Sequence, residues 1–127
     1  LAENGRKVAV LGRSFGANQA LHAASIGNVR ISAVVLYYPF GDVTSSNNAL
    51  ASITAPVLGN FARDDIFFDK ERQQKFVAAA RHQGIKLETE NYAARHGFTN
   101  IFGKNFDADA EKSSTSKTMS FLAQYMR

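Results

Sequence analysis

Apolar residues are grouped in short runs, with segments between them in which they recur every three or four positions. Lys7–Gly12 (KVAVLG) reads as a buried strand, Ile31–Tyr38 (ISAVVLYY) as a second ended by Pro39, and Pro56–Phe61 (PVLGNF) as a third. Near-continuous apolar runs of this length suit strands covered on both faces. Ile85–Tyr92 alternates instead, with Ile85, Leu87 and Thr89 on one side and Lys86, Glu88 and Glu90 on the other. That pattern suits a strand at a sheet margin.

Helical patterns fill the gaps. Ala17, Leu21 and Ala24 share one helix face, and Gly27 is a natural stop. Asp69 can cap a helix reaching about His82, with Phe76, Val77 and Ala80 inward and Gly84 as terminator. A last helix is expected from about Ser114, on a stripe of Met119, Leu122 and Met126. The polar stretch Gly41–Ser52 reads as a loop holding at most one helical turn. Strand alternating with helix predicts an α/β fold of about four mainly parallel strands with flanking helices, in a single domain over 1–127.

Composition narrows the classes. The 127 residues are 45% hydrophobic and 20% charged, which is globular rather than disordered. The formal charge of +4 raises nucleic acid as a partner, but the basic residues are scattered and the longest run is the pair Arg6-Lys7. A nucleic-acid footprint needs clustering, so none is expected. With no cysteine, disulfides and thiolate metal sites are excluded. No stretch approaches a membrane span and no signal peptide stands at the start, so no membrane contact is expected. Cysteine usage does not fix the compartment, and the working expectation is cytoplasmic. The first residue is Leu rather than Met, so the chain reads as a piece of something longer.

Leu11-Gly12-Arg13-Ser14-Phe15-Gly16 contains G-x-S-x-G between the first strand and the first helix. In that context the pattern describes a sharp turn that exposes a serine on a strained backbone. Glycine two residues before and two residues after would relieve crowding across the turn. The helix N-terminus then faces the serine, and the backbone N–H of Phe15 becomes a donor for an oxyanion. Chance supplies only about 0.04 such matches in a chain of this length. A dinucleotide fingerprint fails because Ser14 stands where its second glycine must be and Ala17 where the third would fall. A phosphate loop fails because no Gly-Lys-Ser/Thr follows.

A serine hydroxyl needs a base, and the base needs a group to hold it. His22 sits on the helix after Ser14 and reads as a surface residue. His82 closes the Asp69 helix, where a cation is favourable anyway. His96 follows the fourth strand in a loop, at the sheet edge where catalytic groups collect. The third strand runs into Asp64-Asp65, and either can serve as the acid; Asp42, after the second strand, is the weaker choice. The order Ser, Asp, His is that of α/β-hydrolases.

With these residues in place, the chain resembles the dienelactone hydrolase family. The matching pieces are VAVLGRSFGA at 8–17, APVLGNFARDD at 55–65 and HGFTN at 96–100. The resemblance implies the C-terminal half of an α/β-hydrolase fold, with Ser14 as nucleophile, Asp65 as acid and His96 as base. It implies an ester or lactone substrate and an acyl-enzyme, with no metal and no cofactor. The best-known members carry cysteine where this chain has Ser14, and many have a second glycine where it has Ala17. Family members have about four strands before the nucleophile strand, whereas this chain begins just ahead of Val8. The absent half would supply the second oxyanion donor, worth roughly 10²–10³ in rate.

Two function classes follow. One is a serine esterase in which Arg13 and Arg95, flanking nucleophile and base, bind an anionic part of the substrate. The other is a non-catalytic half-domain whose open sheet edge takes a second copy or a complementary half as partner. A peptidase of the prolyl oligopeptidase type shares this C-terminal half and is the nearer rival.

Overall fold

The computed structural model describes residues 5–27, 29–43 and 50–127; the centre of the expected loop, residues 44–49, lies outside the described residues. Four strands, β1 (Val8–Arg13), β2 (Ile31–Tyr37), β3 (Val57–Ala62) and β4 (Leu87–Tyr92), form one sheet in the order β1-β2-β3-β4. Each neighbouring pair is parallel. Helix α1 (Phe15–Ile26) connects β1 to β2, α2 (Lys70–His82) connects β3 to β4, and α3 (Ala108–Tyr125) follows β4. The α/β class read from the alternating pattern is the class found.

Side chains of a strand alternate between faces, so one strand feeds two cores. From β2, Val34 and Leu36 join Ala17 and Leu21 of α1 and Phe76 and Ala80 of α2 in one cluster. Ala33, Val35 and Tyr37 join Leu58, Phe98 and Phe121 of α3 in the other. Helices α1 and α2 therefore cover one face and α3 the other. This is why β2 and β3 read as unbroken apolar runs.

Two expectations needed correction. The first strand is not buried on both faces: Val8, Ala9 and Val10 are half-buried and Leu11 is 42% exposed. Its sequence is as apolar as that of β2, but among the described residues it lies at the sheet edge with one strand neighbour. The last helix starts at Ala108, well before Ser114, with Asp107 as its cap accepting from the Ala110 N–H at 2.9 Å. Its buried face is Ala110, Ser114, Thr118 and Phe121, while Met119 is 62% exposed. Large apolar residues drew the expected stripe, whereas the face that packs is mostly small and hydroxyl-bearing. Leu122 and Met126 do pack against the core.

The remaining boundaries agree closely. Asp69 caps α2 by accepting from the Arg72 N–H at 3.0 Å, and Gly27 ends α1 in the left-handed conformation.

Candidate active site

The expected nucleophile, acid and base each follow the carboxyl end of a strand. Ser14 follows β1, Asp65 lies just beyond β3, and His96 lies just beyond β4. In a parallel sheet these ends form one edge, so residues distant in sequence meet there.

Ser14 stands at the joint between β1 and α1 with φ 57° and ψ −123°. A non-glycine residue in so sparsely populated a region costs about 1–3 kcal/mol, and the surroundings must impose it. They do so from both sides. The Ser14 N–H donates to the Tyr37 carbonyl at 2.9 Å, and the Ser14 carbonyl accepts from the Ala17 N–H at 2.9 Å. Serine at a helix N-cap ordinarily turns its hydroxyl onto the first-turn amides. Here the side chain makes no such bond. The hydroxyl points at His96 instead, and Phe15, as the first helical residue, has an N–H with no intrahelical acceptor.

The two flanking glycines differ, against the symmetric expectation. A Cβ on Gly12 would lie 1.9 Å from the Gly16 carbonyl oxygen, whereas one on Gly16 would meet nothing within 4 Å. The crowding is one-sided because helix backbone passes over Gly12, while the α-carbon of Gly16 faces outward.

Ser14 Oγ is 2.8 Å from His96 Nε2, and His96 Nδ1 is 2.8 Å from Asp65 Oδ2. The Asp65 side chain is fully buried and that of His96 is 12% exposed. The other carboxylate oxygen of Asp65, Oδ1, accepts from the N–H groups of Phe67 and Phe68, each at 2.8 Å. This local turn brings Asp65 to His96, whereas the neighbouring Asp64 is exposed. A carboxylate that accepts two amides and one imidazole is fixed in orientation.

His96 is held as well. Its carbonyl accepts from Asn105 Nδ2 at 2.9 Å. Tyr38, Phe67 and Phe40 surround its ring, with centroids at 5.0, 5.1 and 6.2 Å. Phe40 is fixed in turn by Asn18 of α1, whose side chain accepts from its N–H and donates to its carbonyl, both at 2.9 Å. Sequence reading missed Asn18, Asn105 and the three aromatic rings. Only the Asp65 turn carried a local signal, an aspartate opening a loop.

The other candidates fall elsewhere. His22 and His82 are exposed on α1 and α2, and Asp42 pairs with Lys75 at 3.2 Å. Arg13 lies beside Ser14, its guanidinium 4.8 Å from the Tyr37 ring centroid and its Nε donating to Thr99 Oγ1 at 3.1 Å. Arg95 is exposed and lines a separate cleft that His96 borders and Ser14 does not. Behind the site, the Tyr92 hydroxyl donates to buried Asn60. Burial first, then the charge of Glu90, pushes the Tyr92 pKa up to about 12. Among the described residues no group of acidic, histidine or cysteine side chains could hold a metal ion, and no helix is long and apolar enough to cross a membrane.

A parallel sheet with a serine at the first strand-to-helix joint, an aspartate after the third strand and a histidine after the fourth is the arrangement of an α/β-hydrolase. The chain belongs to the dienelactone hydrolase family, whose model matches residues 2–126. Comparison with curated proteins found no match.

Solved structures share the fold. A dienelactone hydrolase-like promiscuous phosphotriesterase from metagenomic libraries superposes with a TM-score of 0.87 at 21% identity, over 98% of this chain and 54% of that one. An esterase of Pyrococcus furiosus gives 0.76 at 18% identity, over 95% and 55%. A dipeptidyl peptidase 4 of Porphyromonas gingivalis gives 0.75 at 13% identity, over 92% and 19%. The chain thus spans about half the length of the first two. The likeness to the third shows that the fold alone does not separate esterase from peptidase.

Proposed function

We propose that the chain carries the acyl-transfer machinery of a serine hydrolase acting on carboxylic esters or lactones. The observation that supports this most directly is the pair of 2.8 Å contacts linking Ser14, His96 and Asp65. In this reading Asp65 accepts a hydrogen bond from the Nδ1–H of His96, which stays on the ring and leaves Nε2 free to take the proton of Ser14. Ser14 Oγ attacks the ester carbonyl, and the N–H of Phe15 stabilises the oxyanion. His96 returns the proton to the leaving alcohol, and an acyl group remains on Ser14. Water then attacks that acyl group with His96 again as base.

Membership in the dienelactone hydrolase family supports the ester and lactone class over a peptide. The test is turnover of short-chain phenyl esters, with labelling by a fluorophosphonate. Ser14→Ala is expected to lower turnover by about 10³-fold or more and to abolish labelling. Equal turnover by both proteins sinks the assignment.

A second reading, the half-domain that takes a partner strand, is favoured by one observation. Among the described residues, β1 has a strand neighbour on one side only. That reading is non-catalytic, and the Ser14→Ala comparison separates it from the first.

A further inference from the structure

His96 borders two clefts. One, of about 530 Å³, is lined by Ser14 together with Arg13, Tyr38, Thr99, Asn100 and Glu111. The other, of about 540 Å³, is lined by Ile66, Phe67, Asp64, Arg95, Lys104 and Asn105, and Ser14 is not part of its wall. We propose that this second cleft is the subsite for the leaving alcohol, and that it selects an alcohol with an apolar body, aryl above all. The proposal rests on the reading of Ser14 as nucleophile and His96 as base.

The reaction fixes where the atoms must go. The acyl carbon becomes bonded to Ser14 Oγ, so the acyl group occupies the cleft that Ser14 lines. When the tetrahedral intermediate collapses, the bond between the acyl carbon and the alcohol oxygen breaks and its electron pair stays on that oxygen. His96 Nε2 gives the oxygen the proton taken from Ser14, and a neutral alcohol departs. The departing oxygen therefore sits beside His96 Nε2, and the body attached to it must leave the cleft that the acyl group fills. The second cleft is the other one that His96 borders.

The lining says what fits there. Ile66 and Phe67 sit on the turn that Asp65 opens, and they are 79% and 42% exposed. The Phe67 ring lies 5.1 Å from the His96 ring and stacks at 5.1 Å on Phe40. Apolar side chains left open to water beside a reactive group gain from being covered. Asp64, Arg95 and Lys104 are all exposed, so water and salt weaken their influence and the apolar wall discriminates. The cleft beside Ser14 differs in kind. Arg13 and Glu111 bring charge, and Thr99, Asn100 and Tyr38 bring hydrogen-bonding groups, so it favours a short acyl group.

The experiment compares kcat/KM for 2-naphthyl acetate and methyl acetate, which share an acyl group. Changing exposed Ile66 to serine (Ile66→Ser) is expected to lower the naphthyl-to-methyl ratio about tenfold, and Phe67→Leu to lower it in the same direction. Intrinsic differences between the esters cancel when variant is compared with wild type. An unchanged ratio, or an equal loss on both esters, overturns the proposal.

A second measurement needs no turnover: fluorescence titration of 2-naphthol into the Ser14→Ala protein, with and without Ile66→Ser. Binding that weakens about tenfold in the double variant supports the subsite even if neither ester is hydrolysed, in which case only the nucleophile reading fails. Absent binding, or binding indifferent to residue 66, overturns the subsite even if Ser14 proves essential.

Discussion

Gly12 and Gly16 are placed symmetrically about Ser14 in the sequence and asymmetrically in space. A methyl group on Gly12 would overlap the carbonyl of Gly16 at 1.9 Å, while one on Gly16 would project into open space. Relieving the first overlap means moving α1 away from β1, and with it the turn that aims Ser14 at His96. Gly12→Ala is therefore expected to destabilise the chain by about 3 kcal/mol or more. Gly16→Ala, in the first turn of α1, is expected to be neutral or to stabilise by up to about 1 kcal/mol. Thermal melts of the two variants check this, and similar losses from both would show that the turn needs glycine for another reason. Asp65 shows a comparable one-sidedness. Two aspartates stand side by side in sequence, but only Asp65 reaches the two amides that bury and orient it.

At the scale of elements, α3 shows what patterning can and cannot reveal. Its buried face carries Thr118 because the sheet beneath offers polar partners there, while the Ser114 hydroxyl donates back to the Glu111 carbonyl at 3.0 Å. The Tyr37 hydroxyl lies 2.7 Å from Thr118 Oγ1, and Asn60 Nδ2 donates to the same oxygen at 3.2 Å. A periodicity search for large apolar residues is blind to such a face, which explains both the late start at Ser114 and the misplaced Met119. The first turn depends on its cap instead, and Asp107→Ala is expected to cost about 1 kcal/mol. Urea titration reads this as a lowered midpoint, with exposed Ser113→Ala as a control that should move it by less than about 0.5 kcal/mol. A loss no larger than the control's would mean that packing alone sets the start of α3.

The buried strands, α1 and α2 were legible because each announces itself locally, by an apolar run, a cap or a terminating glycine. The meeting of Ser14 and His96 was legible too, because each follows a strand at the same edge of a parallel sheet. The carboxamides of Asn18 and Asn105 were not legible. Their partners are backbone groups of Phe40 and His96, and nothing in either segment marks the other.

For the whole molecule the governing feature is the unequal treatment of the two outermost strands. β4 alternates and carries Glu88 and Glu90, both within reach of Lys117 at 3.1 and 3.7 Å. Charge on an outer strand opposes further pairing. β1 has no such protection along Val8–Leu11, and among the described residues its outer backbone groups have no strand to bond. An apolar edge of this kind recruits a strand, whether from a complementary half of the fold or from a second copy. This chain on its own is accordingly expected to self-associate, sedimenting above its 13.9 kDa monomer mass as concentration rises. Leu11→Lys places a charge on that edge and should shift the distribution toward monomer, leaving the contacts among Ser14, His96 and Asp65 in place. A wild-type chain that stays monomeric at high concentration would overturn the expectation, and would mean that β1 tolerates its open edge. Association insensitive to Leu11→Lys would place the contact elsewhere, and the exposed apolar side chains Ile101 and Phe102 in the loop after His96 are the next surface to alter.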